Sequence, residues 1–170
     1  MAGVSAEDGQ ARLVAPRLVS APLLRVARGN WPILVITIAL AWWTLRSILQ
    51  RTGGVPAAPL DDAYIHLQYA RSIATGDPLV YSPGMPAVPG ATSLLWPFLL
   101  AGGYLVGLRD HSLLWLSWGL GFASLGLLAY EARRASEGLA GPVCQLGAAA
   151  LVLAFGAYVG FAASGMEVLP

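Results

Sequence analysis

The feature that most limits the fold is a run of nineteen residues from Trp31 to Leu49, WPILVITIALAWWTLRSIL, with a single charge at Arg46. A transmembrane helix needs about 20 mostly apolar residues to cross the hydrocarbon core of a bilayer. Two further runs are long enough, Ser112 to Tyr130 and Val143 to Ala163. Only 11% of the residues are charged and 56% are hydrophobic, too little charge to cover a water-facing surface. The chain therefore belongs to the membrane class, and its net charge of +1 gives no indication of nucleic-acid binding.

A fourth apolar run, Leu94 to Leu108, decides the topology. Pro97 is expected to start its helix, because proline lacks the N–H that a helix interior needs. The helix would reach about 18 Å against a core of about 30 Å, so we expect it to lie in the interface. Four arginines precede the first span, which puts the N-terminus in the cytoplasm by the positive-inside rule. Three spans then return Arg133 and Arg134 to the cytoplasm, whereas four spans, the alternative, would leave them outside.

We therefore predict an all-α integral membrane protein with three transmembrane helices and one or two interfacial helices, in the inner or plasma membrane of the cell. The predicted segments are a cytoplasmic Arg-containing tail (1–30), a first span (31–49), an external loop (50–111) with interfacial helices at about 62–75 and 94–108, a second span (112–130), a cytoplasmic loop (131–142), a third span (143–163) and an external tail (164–170).

The external loop contains an unusually polar stretch, DDAYIHLQYARSIATG. Asp61 suits the N-cap of a helix, because its carboxylate could accept from the amides of the first turn. Gly76 suits the residue that ends the helix. The simplest interpretation is that Asp61 only caps the helix and Asp62 only solvates it. Two adjacent acids beside several hydrogen-bonding side chains also suit a site, and the spacing alone does not choose between the two.

One face of this predicted helix is polar. Tyr64, Gln68 and Arg71 fall at i, i+4 and i+7 and share that face, with an apolar stripe on another side. This pattern is typical of a helix that lies on a membrane with one face in water. The loop that follows is rich in Pro and Gly, and Pro83-Gly84 fits the centre of a type II turn.

The run DDAYIHLQYARSIATGDPLVYSPGMPAVPGATSLLWPFLLAGGYLVGL resembles the first external loop of GT-C glycosyltransferases, membrane enzymes that take a sugar from a polyprenyl-phosphate carrier. It is most similar to bacterial members related to protein mannosyltransferases and to arabinosyl- or aminoarabinosyltransferases. The shared pattern is an acidic pair, an aromatic residue, a helix ending in Gly, a Pro-Gly turn and a Thr/Ser-x-Leu-Trp entry to an interfacial helix. The family then has a basic cytoplasmic turn and, after the third span, a second acid, which here would be Arg133-Arg134 and Glu167. The likeness covers residues 30–170.

The resemblance implies roles for three acids. Asp61 would be the general base that takes the proton of an acceptor hydroxyl as it attacks the sugar. Phosphate leaves without protonation, so one carboxylate can suffice, unlike the pair that most glycosidases use. Asp62 and Glu167 would orient groups or help to hold a cation. The expected partners are a polyprenyl-phosphate-linked sugar donor, a glycan, lipid or protein acceptor, and the lipid bilayer.

The candidate substrate-binding residues are Tyr64, His66, Gln68, Arg71 and Arg109. The two arginines are assigned by charge, because a guanidinium pairs bidentately with phosphate, and an interfacial arginine that snorkels is an equal alternative. Many relatives carry Arg where Gln68 stands, which puts a phosphate contact there in doubt. The two histidines, His66 and His111, lack partners at ligand spacing and do not indicate a metal site. No cofactor is expected, with a divalent cation left open.

Relatives continue with many more spans, so we expect this chain to be the N-terminal portion of such an enzyme, from a truncated gene or a split reading frame, and inactive alone. The alternative from another class is a small non-catalytic membrane protein, such as an assembly partner or a transporter subunit. A transporter is expected to carry polar residues inside its spans, whereas the acids here lie outside them. That placement favours chemistry at the interface.

Overall fold

The computed structural model describes residues 20–88, 90, 93, 95–139 and 141–166. They form six α-helices joined by loops, with no strand among the described residues. The all-α prediction is therefore confirmed for this part of the chain. The helices are α1 (Ser20–Arg51), α2 (Asp62–Thr75), α3 (Leu95–Leu105), α4 (His111–Ala135), α5 (Pro142–Ala154) and α6 (Gly156–Ser164).

Two described helices are long and apolar enough to cross a membrane, Asn30–Arg51 within α1 and His111–Ala135. The pair α5 and α6 is long and apolar enough when its two helices are taken together as one span with a bend of 55°, which gives up to three candidate spans in the described residues. The predicted spans fall within these segments. The bend itself was not predicted: Phe155 between the two helices is extended, at φ −75° and ψ 102°, and Gly156 follows it.

The fourth apolar run forms α3, which is 11 residues long. At about 1.5 Å per residue it reaches only half of a bilayer core of about 30 Å, which argues against the four-span alternative. One side of α3 packs against α2 and α4. The buried residues that join these helices are Ala70, Trp96, Leu100, Ala101 and Leu113.

Helix α2 has the predicted bounds, 62–75, and ends at Gly76 in the left-handed conformation with φ +96°. The Asp61 side chain occupies the N-cap position but makes no capping hydrogen bond. The backbone of Asp61 is itself helical (φ −64°, ψ −31°), whereas a capping residue usually has extended angles that aim its side chain at the first turn. The expected capping bond is thus absent.

A second core joins the longer helices. Its buried residues are Ile33, Phe122, Leu125, Ala129, Ala149, Leu153, Ala162 and Ala163. Gly121 of α4 lies so close to α6 that a Cβ there would be 2.3 Å from the Ala162 carbonyl oxygen. Gly126 of α4 lies close to α1, and a Cβ there would be 3.3 Å from the Thr37 hydroxyl oxygen. Small residues that let backbones approach are typical of helix packing in membranes.

The described contacts place the helix ends and loops at two opposite ends of the bundle. Arg133, near the end of α4, donates a hydrogen bond to the Asn30 side chain at the start of the α1 span. At the opposite end, Gly165 follows α6 and contacts Ala63 of α2. The helices α2 and α3 and the end of α6 therefore share one end of the bundle, as three spans require.

Candidate functional site

A pocket of about 350 Å³ lies between α2, the loop after it and the junction of α3 with α4. Three tyrosines line it together with an arginine, a glutamine, an aspartate and a histidine. The lining residues are Pro56, Tyr64, Leu67, Gln68, Arg71, Tyr81, Tyr104, Asp110, His111, Leu113 and Leu114. Aromatic rings and a few convergent polar groups are what small-molecule sites usually present.

The polar face of α2 forms one wall of this pocket. Tyr64, Gln68 and Arg71, predicted to share a face, all line it. The Gln68 amide donates to the Tyr81 carbonyl oxygen at 2.8 Å and so fixes the loop that forms the facing wall. The Tyr64 hydroxyl accepts from the Ala58 amide at 3.0 Å and fixes the chain that leads into the helix.

The two candidate phosphate-binding arginines differ in their surroundings. Arg71 is exposed on the pocket wall, and its guanidinium makes no hydrogen bond or ion pair with another described residue. Arg109 lies over the Tyr104 ring, 3.5 Å from its centroid, and donates to the carbonyl oxygens of Tyr104 and Leu108. Arg71 is thus available to an anion in the pocket, whereas Arg109 does not line the pocket and its guanidinium is already held by Tyr104 and Leu108.

Four polar or aromatic lining residues were not among the candidates: Tyr81, Tyr104, Asp110 and His111. They come from the loop after α2 and from the α3–α4 junction, which only tertiary packing brings beside α2. The position of Asp110 directly before the second span is the one sequence feature that could have marked it as a candidate. Its backbone has φ +45°, an uncommon conformation for a residue with a side chain, and such strain concentrates at functional sites.

The acidic pair stands at the first turn of α2 and does not line the pocket. Asp61 and Asp62 are both exposed. Neither carboxylate makes a hydrogen bond or ion pair with another described residue. Tyr64, which lines the pocket, follows Asp61 by three residues and so lies on the same side of the helix. Asp61 therefore lies at the end of the polar face, and its carboxylate makes no capping hydrogen bond.

His66 occupies a different position. Its side chain is 1% exposed, on the side of α2 that packs into the protein with Ala63 and Ala70. It is absent from the lining of the pocket. The structure therefore separates His66 from the other candidate binding residues of α2.

The end of α6 meets the first turn of α2. The Gly165 carbonyl oxygen accepts two hydrogen bonds, from the Ser117 hydroxyl at 2.7 Å and from Trp96 Nε1 at 3.1 Å. A Cβ on Gly165 would lie 3.2 Å from the Ala63 Cβ. Glu167, the second predicted acid, lies outside the described residues, two positions further along the chain.

An apolar cleft of about 450 Å³ lies between α1 and α6 at the same end of the bundle. Its lining residues are Thr44, Ile48, Pro59, Leu60, Ala157, Gly160, Phe161, Ala163 and Ser164. Leu60 directly precedes Asp61, so the cleft reaches the residue before the acidic pair. Within the described residues, no group of three or more His, Cys, Asp or Glu side chains could hold a metal ion.

The chain was compared with models of known protein families, with curated protein sequences and with solved structures, and none of them gives a significant match.

Proposed function

We propose that the chain carries the site of an integral-membrane glycosyltransferase that moves a sugar from a polyprenyl-phosphate donor to an extracytoplasmic acceptor. One observation carries the proposal: an apolar cleft and a polar pocket flank the same end of α2, where Asp61 stands. Leu60 belongs to the cleft and Tyr64 to the pocket. A lipid-linked sugar has the matching chemistry, with a long apolar chain joined to a polar, charged head.

The charges at this end of the bundle suit that substrate. Arg71 is the exposed cation of the pocket and would pair with the donor phosphate through its planar guanidinium. Tyr64, Tyr81 and Tyr104 present rings and hydroxyls, which suit the apolar faces and hydroxyl groups of a sugar. Gln68 would act by holding the pocket wall through Tyr81 and not by binding phosphate.

Asp61 is proposed as the general base. An acceptor hydroxyl is a poor nucleophile, and a carboxylate within hydrogen-bond reach takes its proton while the bond to the anomeric carbon forms. The bond between that carbon and the phosphate oxygen breaks at the same time, and the phosphate leaves as an anion. Asp62 and Glu167 are proposed to orient the acceptor. Ala63, which follows Asp62, lies next to Gly165, two positions before Glu167 in the sequence.

Donor binding and turnover test the proposal separately. Membranes that contain the chain are incubated with a radiolabelled polyprenyl-phosphate sugar, and retained donor and transferred sugar are both counted. We expect Asp61→Asn to bind the donor as the wild type does, and any transfer that the wild-type chain supports should fall by about 10²-fold or more in this variant, the usual contribution of a general base. Arg71→Gln should weaken donor binding.

Asp77→Asn is the matched control, because Asp77 is an exposed acid just beyond the end of α2. It should leave binding and transfer unchanged. A chain that retains no donor would refute the proposal outright. A chain that binds the donor with equal strength after Asp61→Asn, and transfers nothing in either form, would instead be a non-catalytic carrier-binding protein.

A further inference from the structure

A second apolar cleft lies between α1 and α4, away from the pocket and the cleft described above. Its volume is about 510 Å³, within the range of about 300–1,000 Å³ that small-molecule sites occupy. Its lining residues are Trp42, Leu45, Arg46, Leu49, Gln50, Gly53, Gly54 and Trp115. None of these residues takes part in the proposed transfer.

Among the described residues that line the cleft, Arg46 is the only charged one and none carries a carboxylate. Its guanidinium makes no hydrogen bond or ion pair with another described residue. A charge beside apolar side chains is costly unless a counter-charge accompanies it. The described part of the chain supplies none, whereas the headgroups of a surrounding bilayer carry phosphates that could pair with the exposed guanidinium.

The level of Arg46 along α1 indicates where that anion lies. The candidate span ends at Arg51, five residues later, which is about 7 Å along a helix axis. An arginine at this depth reaches the headgroup layer, where lipid phosphates are. Gln50 lies one turn further out on the same face of α1, and Trp42 lies one turn deeper. The cleft thus has a polar outer part and an apolar inner part.

The α4 wall of the cleft is held in place by an aromatic contact. The Trp115 ring packs edge-on against Trp118, with the centroids 5.1 Å apart, and Trp118 is fully buried. Gly53 and Gly54 lie in the turn after α1 with positive φ angles, and a Cβ on either would meet nothing within 4 Å. The outer rim therefore stays open to the headgroup layer, while Trp42 and Trp115 bound the inner part.

We propose that this cleft binds one phospholipid of the bilayer, with its phosphate on Arg46 and one acyl chain between Trp42 and Trp115. The lipid covers the apolar walls where α1 and α4 part and supplies the counter-charge that the guanidinium lacks. This phospholipid would be a structural lipid of the protein and not the sugar donor of the proposed transfer.

Native mass spectrometry of the full chain in detergent tests the proposal. The delipidated protein is titrated with phosphatidylglycerol, and with a diacylglycerol of the same chains, which lacks the phosphate. We expect one tightly bound phosphatidylglycerol and no retained diacylglycerol. Arg46→Gln should weaken phosphatidylglycerol binding by about tenfold or more, because a hydrogen-bonded charge pair is lost.

Arg51→Gln is the matched control, since Arg51 lies on the same helix and does not line this cleft. It should retain the lipid at wild-type strength. Arg46→Lys keeps the charge without the planar fork and should bind with intermediate strength, which separates phosphate recognition from any loss of folding. Equal lipid retention by the Arg46→Gln and Arg51→Gln variants, or equal binding of diacylglycerol and phosphatidylglycerol, would overturn the assignment.

Discussion

Gly165 and Ala63 are in direct contact, although 101 positions of sequence separate them: a Cβ on Gly165 would lie 3.2 Å from that of Ala63. The contact joins the end of α6 to the first turn of α2, next to Asp61 and Asp62. Gly165 can fill this position because its φ is +83°, which a residue with a side chain adopts only with strain. The acidic end of α2 is thereby attached to the bundle of longer helices.

The Gly165 carbonyl oxygen is expected to need at least one of its two donors. Ser117→Ala and Trp96→Phe each remove one donor, and the other continues to satisfy the carbonyl. Each change should cost about 0.5–1.5 kcal/mol of unfolding free energy, besides the volume that Trp96→Phe removes. The double variant leaves a buried carbonyl unpaired and should cost about 1–3 kcal/mol more than the sum. Unfolding of all four proteins in mixed micelles measures this, and strictly additive losses would show that the carbonyl reaches water.

The close approach of α4 to α6 predicts opposite effects for two neighbouring glycines. A Cβ on Gly121 would lie 2.3 Å from the backbone oxygen of Ala162, and backbone cannot move aside cheaply. Gly121→Ala should therefore separate the helices and cost about 1–3 kcal/mol, as overpacking usually does. Gly119 has nothing within 4 Å, so Gly119→Ala should be neutral or stabilise α4 by up to about 1 kcal/mol. Thermal unfolding of both variants gives the comparison, and equal stabilities would contradict the packing described here.

Sequence reasoning located the helices well because their signals are local. Run length and charge placement predicted the three long segments, and Gly76 ended α2 where expected. The bend after Ala154 was missed for a physical reason. Gly147 and Gly160 also lie in that run, inside α5 and α6, without breaking them. A glycine permits a bend, and the packing around it decides whether one forms.

The candidate site was only partly predictable. Helical spacing placed Tyr64, Gln68 and Arg71 on one face, and that face does line a pocket. The opposite wall, which includes Asp110 and His111, comes from a junction that the sequence does not connect to α2. The burial of His66 was also missed, because the apolar side of this helix was expected to lie on the membrane, whereas that side packs into the protein with Ala63 and Ala70.

The hydroxyl of Tyr69 is expected to hold the Pro-Gly loop against α2. It donates to the Val88 carbonyl oxygen at 2.8 Å and accepts from the Gly90 amide at 3.1 Å. Tyr69→Phe removes both bonds and keeps the buried ring, so hydrogen exchange at the Gly90 amide should quicken by about tenfold, the equivalent of one hydrogen bond. Tyr130→Phe, at a partly buried tyrosine of α4, is the control and should leave that amide unchanged. Unaltered exchange after Tyr69→Phe would mean that the loop is held elsewhere.

The two ends of the bundle are expected to face opposite sides of the membrane. Ala135 lies beside Arg133, which bonds to Asn30, whereas Ala87 lies in the loop that Tyr69 holds against α2. Both alanines are exposed, so a cysteine at either would react with a maleimide once Cys144→Ser has removed the native thiol. The arginines near the N-terminus predict that this end is cytoplasmic. A membrane-impermeant maleimide should therefore label Ala87→Cys in intact cells and Ala135→Cys only after permeabilisation. Labelling of both in intact cells would rule out three spans, and the reverse pattern would place Asp61 in the cytoplasm, where no extracytoplasmic acceptor could reach it.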